Sequence, residues 1–193
     1  MKIKMELVSD AIFGNGASIP GGEDIAIQCD SKGFPYYKGG TFKGIFREEY
    51  ENYLFILGKT EDEVKKQSDW LFGYSGNEDT SGAKITFSDL ELPKYVKNTV
   101  LEEIGEDNPQ SIMEVFSHIR TFTKIDDQGM VQDGSLRDAR CIDKGLCFYG
   151  SLKADSLDEE EQSRIKEVLG FVKFIGTMRN RGFGQVRITE VES

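Results

Sequence analysis

Histidine is almost missing from this chain: His118 is the single one among 193 residues. Chemistry that needs two imidazoles, as acid and base or as paired metal ligands, is therefore excluded. A one-histidine mechanism stays open beside the plainer structural role. Cysteine is also scarce. Cys29, Cys141 and Cys147 are odd in number and form no C-x-x-C pair, which argues against a disulfide framework and a thiolate zinc site. Reduced thiols in a cytoplasmic protein are the simplest reading. No apolar run approaches the ~18 residues of a membrane span, and MKIKMELVSD is too charged for a signal peptide. The expectation is a cytoplasmic protein without membrane contact.

Positive charge is in short supply too. Lys and Arg number 24 against 34 Asp and Glu, for a net charge of −10. Phosphate neutralisation supplies most nucleic-acid affinity, so this total opposes autonomous binding to RNA or DNA. The distribution is less uniform than the total. Acid concentrates at Glu61–Glu63 and Asp158–Glu161, while Lys32, Lys38, Lys43 and Arg47 follow one another before any further carboxylate. Arg179, Arg181 and Arg187 likewise share an acid-free stretch. Two basic patches on an acidic body suit a subunit that touches nucleic acid on one face and protein on others.

KIKMELVS alternates apolar and polar residues as a half-buried strand does. GNGASIPGGED must be a loop, IAIQCD is short and β-prone, and KGFPYYKGG is loop again. Thr41 is a suitable N-cap for a helix whose apolar face runs Phe42, Ile45, Phe46, Tyr50, Tyr53, Leu54, Leu57 and stops at Gly58. A second helix is expected over Glu61–Leu71, then a turn-rich FGYSGNEDTSG and a strand in KITFSDLEL. Residues 93–117 resemble an insertion. HIRTFTKID and ARCIDKGLCFYGSLKAD read as strands around the turn-rich DDQGMVQDG, followed by a helix from DEEEQSRIKEVLGFVKFIG with an acidic first turn and a closing strand GQVRITEVE. The order β, α, β, β, α, β defines an α+β, ferredoxin-like fold in a single domain over 1–193.

The stretch Arg181-Gly182-Phe183-Gly184 looks like the opening of the RNA-recognition-motif signature. That signature lies on the third strand of its fold, however, with a helix and a strand to follow. Here only one strand remains, and Gln185 and Ile188 stand where aromatics are wanted. The match fails as an RNA-recognition motif, leaving a Gly- and Arg-rich loop between the last helix and the last strand.

That loop, Gly176-Thr-Met-Arg179-Asn-Arg181-Gly182-Phe183-Gly184, has the form G-x-x-R-x-x-G-x-G and resembles the RAMP superfamily of CRISPR RNA-processing and effector proteins. Three further segments resemble it in order: IAIQCDSKGFPYYKGGTFKGIFREEY, DWLFGYSGNEDTSGAKITFSDLEL, and HIRTFTKIDDQGMVQDGSLRDARCIDKGLCFYGSLK, the last like the family's β-hairpin thumb at about 118–143. Within the superfamily the pattern is most similar to the backbone subunit of type III effector complexes. The resemblance implies binding to guide crRNA, side by side with further copies or related effector subunits. It also implies divalent-metal-dependent (Mg²⁺) cleavage of complementary target RNA, with Asp24 as catalytic residue and metal ligand. The alternative is a non-catalytic RAMP subunit that binds or caps the crRNA. A stand-alone guide-processing endoribonuclease ranks behind both.

Each residue keeps a plain reading beside the functional one. Asp24 is a carboxylate at the reacting phosphate or a loop residue ending a turn, and Asp30 organises the turn into 31–35. Lys43 and Arg47, one helical turn apart, face an RNA phosphate or a solvated helix surface. Gly39, Gly40 and Gly44 allow close approach of an RNA backbone or simply make turns. Arg179, Arg181, Gly182 and Gly184 cradle the guide or form an ordinary αβ loop. Gly129, Met130 and Val131 at the thumb tip wedge between bases or contact a neighbour. Trp70, Phe72 and Tyr74 are expected in the core.

Overall fold

Strand β1 (Lys2–Leu7) occupies the middle of the main sheet because its alternation buries one face completely. Ile3, Met5 and Leu7 are buried, while Lys2, Lys4 and Glu6 project to the opposite side. In this computed structural model, which describes residues 1–18, 22–74, 83–123, 128–130, 135–154 and 157–191, β1 pairs antiparallel with two strands. These are β7 (Cys147–Ala154) and β8 (Val186–Val191), which set Lys4 opposite Tyr149 and Thr189. Beyond β7 lie β3 (Ile85–Phe87) and β4 (Leu90–Glu91), and β2 (Tyr36–Tyr37) extends the edge through β4. The four core positions therefore run last, first, third, second across the sheet. Together with a helix after the first and after the third, this is the expected ferredoxin-like arrangement.

Those helices are α1 (Gly39–Ile56) and α5 (Glu159–Leu169). On α1, Phe42, Phe46, Tyr50 and Leu54 recur every four residues and are fully buried, each contributing roughly 1.5–3 kcal/mol of apolar transfer. Helix α1 begins two residues before the expected Thr41 cap. Lys38 precedes it without a side-chain cap, and the Gly39 N–H donates instead to Asp89 Oδ1 (2.8 Å) from the turn between β3 and β4. Only glycine fits there, since a Cβ on Gly39 would collide with the carbonyl oxygens of Phe87 and Ser88. Helix α2 (Glu61–Phe72) follows, with Glu63 Oε2 accepting from the Thr60 N–H (2.8 Å). At its end Phe72 is buried, but Trp70 and Tyr74 are exposed, contrary to their expected place in the core.

Residues 93–117 form two short helices, α3 (Lys94–Ile104) and α4 (Pro109–Val115). Asn108 caps α4 and Pro109 stands at its first turn. The thumb is a separate two-stranded sheet of β5 (Ser117–Phe122) and β6 (Arg137–Ile142), in register from Ser117↔Ile142 to Phe122↔Arg137. Most of the expected DDQGMVQDG turn, including Val131, lies outside the described residues, as does most of FGYSGNEDTSG. IAIQCD makes isolated bridges instead of a strand, Ile25 pairing with Ala139 and Cys29 with Pro35. Its backbone is shared between the thumb and its own loop, so no continuous ladder forms.

Asp89→Ala should remove the borrowed cap of α1 and lower stability by about 1 kcal/mol. Urea unfolding of the variant and the native chain, at equal slope, measures this directly.

Candidate nucleic-acid interface

The Gly- and Arg-rich loop is closed at its neck by backbone bonds: the Ile175 N–H donates to the Gly184 carbonyl (2.8 Å) and the Val186 N–H to Lys173 (2.8 Å). Within it, Met178 (φ 58°) and Gly182 (φ 83°) take left-handed conformations on either side of a single 3₁₀ turn, Arg179–Arg181. Gly176 and Gly184 are fixed by contact. A Cβ on the first would strike the Ile12 carbonyl oxygen, and on the second the Ile175 carbonyl oxygen. Nothing crowds Gly182, so its positive φ alone calls for glycine. Arg179 and Arg181 are both exposed, and neither has an ion-pair partner among the described residues.

Beside this loop runs a cleft of about 320 Å³. Its walls are Phe13, Gly14 and Asn15 after β1, Tyr36–Lys38 with Thr41 and Ile45 at the start of α1, and Gly176, Thr177 and Arg179 of the loop. Tyr37 anchors the two sides, its Oη accepting from the Gly176 N–H (3.3 Å) and its ring lying 4.7 Å from Phe13. Burial pushes the Tyr37 phenol above its usual range, so it stays protonated. The Tyr36 hydroxyl accepts from Gln28 Nε2 (2.8 Å). The cleft thus combines two cations, Lys38 and Arg179, with partly exposed aromatic surface and exposed backbone, the donor set that single-stranded nucleic acid uses.

The expected residues divide. Arg179 lines this cleft, and Gly40 and Gly44 are exposed with open space above them. Arg47 is turned inward: its Nε donates to Glu51 (2.8 Å), Nη1 to the Gly73 carbonyl (2.9 Å) and Nη2 to Asp69 (2.6 Å). It staples α1 to the end of α2. Lys43 lies half-buried near it, and desolvation with the Arg47 charge lowers its pKa. Neither residue lines the cleft. Gly39 serves the packing described above. Tyr36, Tyr37 and Lys38 lay within the quoted family segment, but no spacing rule distinguished them from loop residues.

Asp24 lies elsewhere, at the thumb root. Its N–H donates to the Asp138 carbonyl (2.8 Å) and its Oδ2 accepts from the Asp138 N–H (2.9 Å). The residue is exposed, and Oδ1 has no partner among the described residues. Neighbouring Glu23 is buried and paired with buried Arg140 of β6, whose Nε donates to Oε1 (2.6 Å). The Asp138 carboxylate accepts from Thr121 Oγ1 (2.6 Å). Both neighbours are engaged, and among the described residues no group of three or more His, Cys, Asp or Glu side chains could hold a metal ion. Asp30 organises its turn as expected, accepting from the Lys32 and Phe34 N–H groups (both 3.0 Å).

The RAMP superfamily sequence model matches residues 4–187. The chain belongs to that superfamily. Solved structures agree in fold. A chain of the type III-B Cmr-beta complex bound to cognate target RNA, seen by cryo-EM, superposes with a TM-score of 0.69 at 14% identity, covering 97% of this chain and 95% of that one. A chain of the apo Cmr-beta complex gives 0.67 at 14% identity, covering 100% and 97%. Among curated proteins the sequence finds no match. No helix among the described residues is long and apolar enough to cross a membrane.

Arg140→Met, which strands Glu23 as a lone buried charge, should cost about 3–5 kcal/mol, and the paired change with Glu23→Leu should recover most of it. Denaturant titration of the single and double variants checks the difference.

Proposed function

We propose that this chain is a crRNA-binding subunit of a type III CRISPR effector, working in the cytoplasm beside other effector subunits or further copies of itself. The observation that carries this reading is the cleft in which Lys38 and Arg179 flank Tyr36, Tyr37 and the glycine loop. Exposed guanidinium and ammonium groups neutralise phosphates, half-buried Tyr36 offers ring surface to a base while buried Tyr37 holds the cleft's two sides together, and glycine backbone admits the strand closely. The acidic remainder of the chain makes each subunit's own grip weak. Repetition along a guide supplies the affinity by raising effective concentration.

Target-RNA cleavage is the finer part of the proposal and rests on Asp24. Its Oδ1, without a partner among the described residues, can accept the proton of a ribose 2′-hydroxyl as that oxygen attacks the adjacent phosphate; a 2′,3′-cyclic phosphate forms, the P–O5′ bond breaks and the departing 5′-oxygen takes a proton from water, while the Asp138 N–H holds Oδ2 in place. The described side chains make no metal cage, and no step is assigned to Mg²⁺. The non-catalytic reading is favoured by one observation: Glu23 and Asp138, the nearest carboxylates, are already satisfied within the fold.

Reconstituted complex carrying Asp24→Ala should still hold guide and target but cut the target at least about a hundredfold more slowly. Equal cutting by both, or no cutting by either, makes the chain a binding subunit only. Lys38→Ala with Arg179→Ala should reduce the salt dependence of guide binding by about 1.4 in log–log slope. An unchanged slope removes the cleft from the interface.

A further inference from the structure

On the opposite flank of the Arg179–Arg181 turn lies a second cleft, of about 270 Å³, at the thumb root. Three cations from three elements line it: Arg120 on β5, Lys144 between β6 and β7, and Arg181. Arg120 lies over the Phe183 ring, its Cζ 5.2 Å from the centroid, with Nη1 3.6 Å from Asp10 Oδ2. Asp10 is the common fastening. Its Oδ1 accepts from the Lys144 N–H (3.1 Å) and its carbonyl from the Gly184 N–H (2.8 Å). Through these contacts Asp10 ties Arg120, the Lys144 backbone and the glycine loop together, while its one carboxylate can balance only one of the three cations. The other acid nearby, Asp143, is bound to His118 Nδ1 (2.5 Å), whose Nε2 stands 3.8 Å from Asp10. Counting Asp10, Asp143, Arg120, Lys144 and Arg181, the site keeps a surplus positive charge even with His118 neutral.

The geometry points to a phosphate-binding subsite in this second cleft, which takes further phosphates of the same RNA strand that occupies the Lys38–Arg179 cleft. The two clefts share one wall. Arg179 lines the first and Arg181 the second, two residues apart on one turn. A strand crossing that turn therefore meets a cation on each side. Arg120 suits phosphate because its guanidinium, placed by Phe183 and Asp10, is half exposed and carries a planar fork of donors. Lys144 adds an exposed point charge. The inference rests on the proposed RNA binding and adds to it the path of the strand and two residues, Arg120 and Lys144, that the family resemblance did not single out.

The test uses the full chain and a labelled oligouridylate of about 16 nucleotides, titrated across a range of salt concentrations. Arg120→Ala with Lys144→Ala should flatten the log–log salt slope by about 1.4 and weaken binding roughly 25-fold at about 0.1 M salt. Lys65→Ala with Lys66→Ala removes the same charge from the exposed face of α2 and should leave both quantities unchanged. Should the double variant prove unfolded, Lys144→Ala alone, which disturbs no packing, should flatten the slope by about 0.7. Native-like binding by the Arg120/Lys144 variant overturns the subsite while leaving the first cleft standing. Equal weakening by the α2 control also overturns it, since long-range charge alone would then account for the effect. If the native chain binds no RNA even at the lowest salt, where a single copy's grip is strongest, the proposed function falls and the subsite with it.

Discussion

Backbone contact between the glycine loop and the segment leaving β1 fixes where everything else on this face can be. The Thr177 N–H reaches the Ile12 carbonyl (3.1 Å), the Gly184 N–H reaches Asp10 (2.8 Å), and the Ile175 N–H closes back on Gly184 (2.8 Å). Such approach is open only to residues without a Cβ, and Gly176 and Gly184 supply them. Because these are main-chain bonds, the two arginines between them are free of structural duty. The loop holds its shape with glycine and presents charge with arginine.

The same economy separates the two charge signs. Arg47 and Arg164, which sit among the helices, are consumed by Glu51, Asp69, Glu160 and Glu161. The acidic first turns of α2 and α5 favour their own helix dipoles. Lys38, Arg179 and Arg181, at the ends of elements, have no such partners among the described residues. A net charge of −10 therefore coexists with a locally basic rim. The buried Glu23–Arg140 pair has a different purpose: it fastens the loop after β1 to the thumb, and so sets Asp24 against Asp138. Burial also raises the thiols of Cys29 and Cys141 to about 11, leaving both protonated and unreactive at neutral pH.

Periodicity carried most of the fold. Ile3, Met5 and Leu7 announce a half-buried strand, and Phe42, Phe46, Tyr50 and Leu54 announce a helix, because in both cases one face is buried and the other is not. The start of α1 was illegible for the converse reason: its cap, Asp89, comes from fifty residues away. Trp70 and Tyr74 look like core by type, but at the end of α2 it is Leu71 and Phe72 that face inward. In the site, the glycine loop could be read from its own spacing. Arg47 could not, since Lys43 and Arg47 share a helix face whose packing against α2 no local pattern shows. Lys38, Tyr36 and Tyr37 join the loop only through folding, and so do Arg120, Lys144 and Asp10.

The central claim is that RNA lies along the glycine loop and its flanking clefts. It is tested most directly by photo-crosslinking guide RNA, substituted with 4-thiouridine, to the assembled complex and sequencing the crosslinked peptides of this chain. The account predicts crosslinks within 36–41 and 176–183. Crosslinks confined to the outer surfaces of α2 and α5, with none in those two segments, would contradict it.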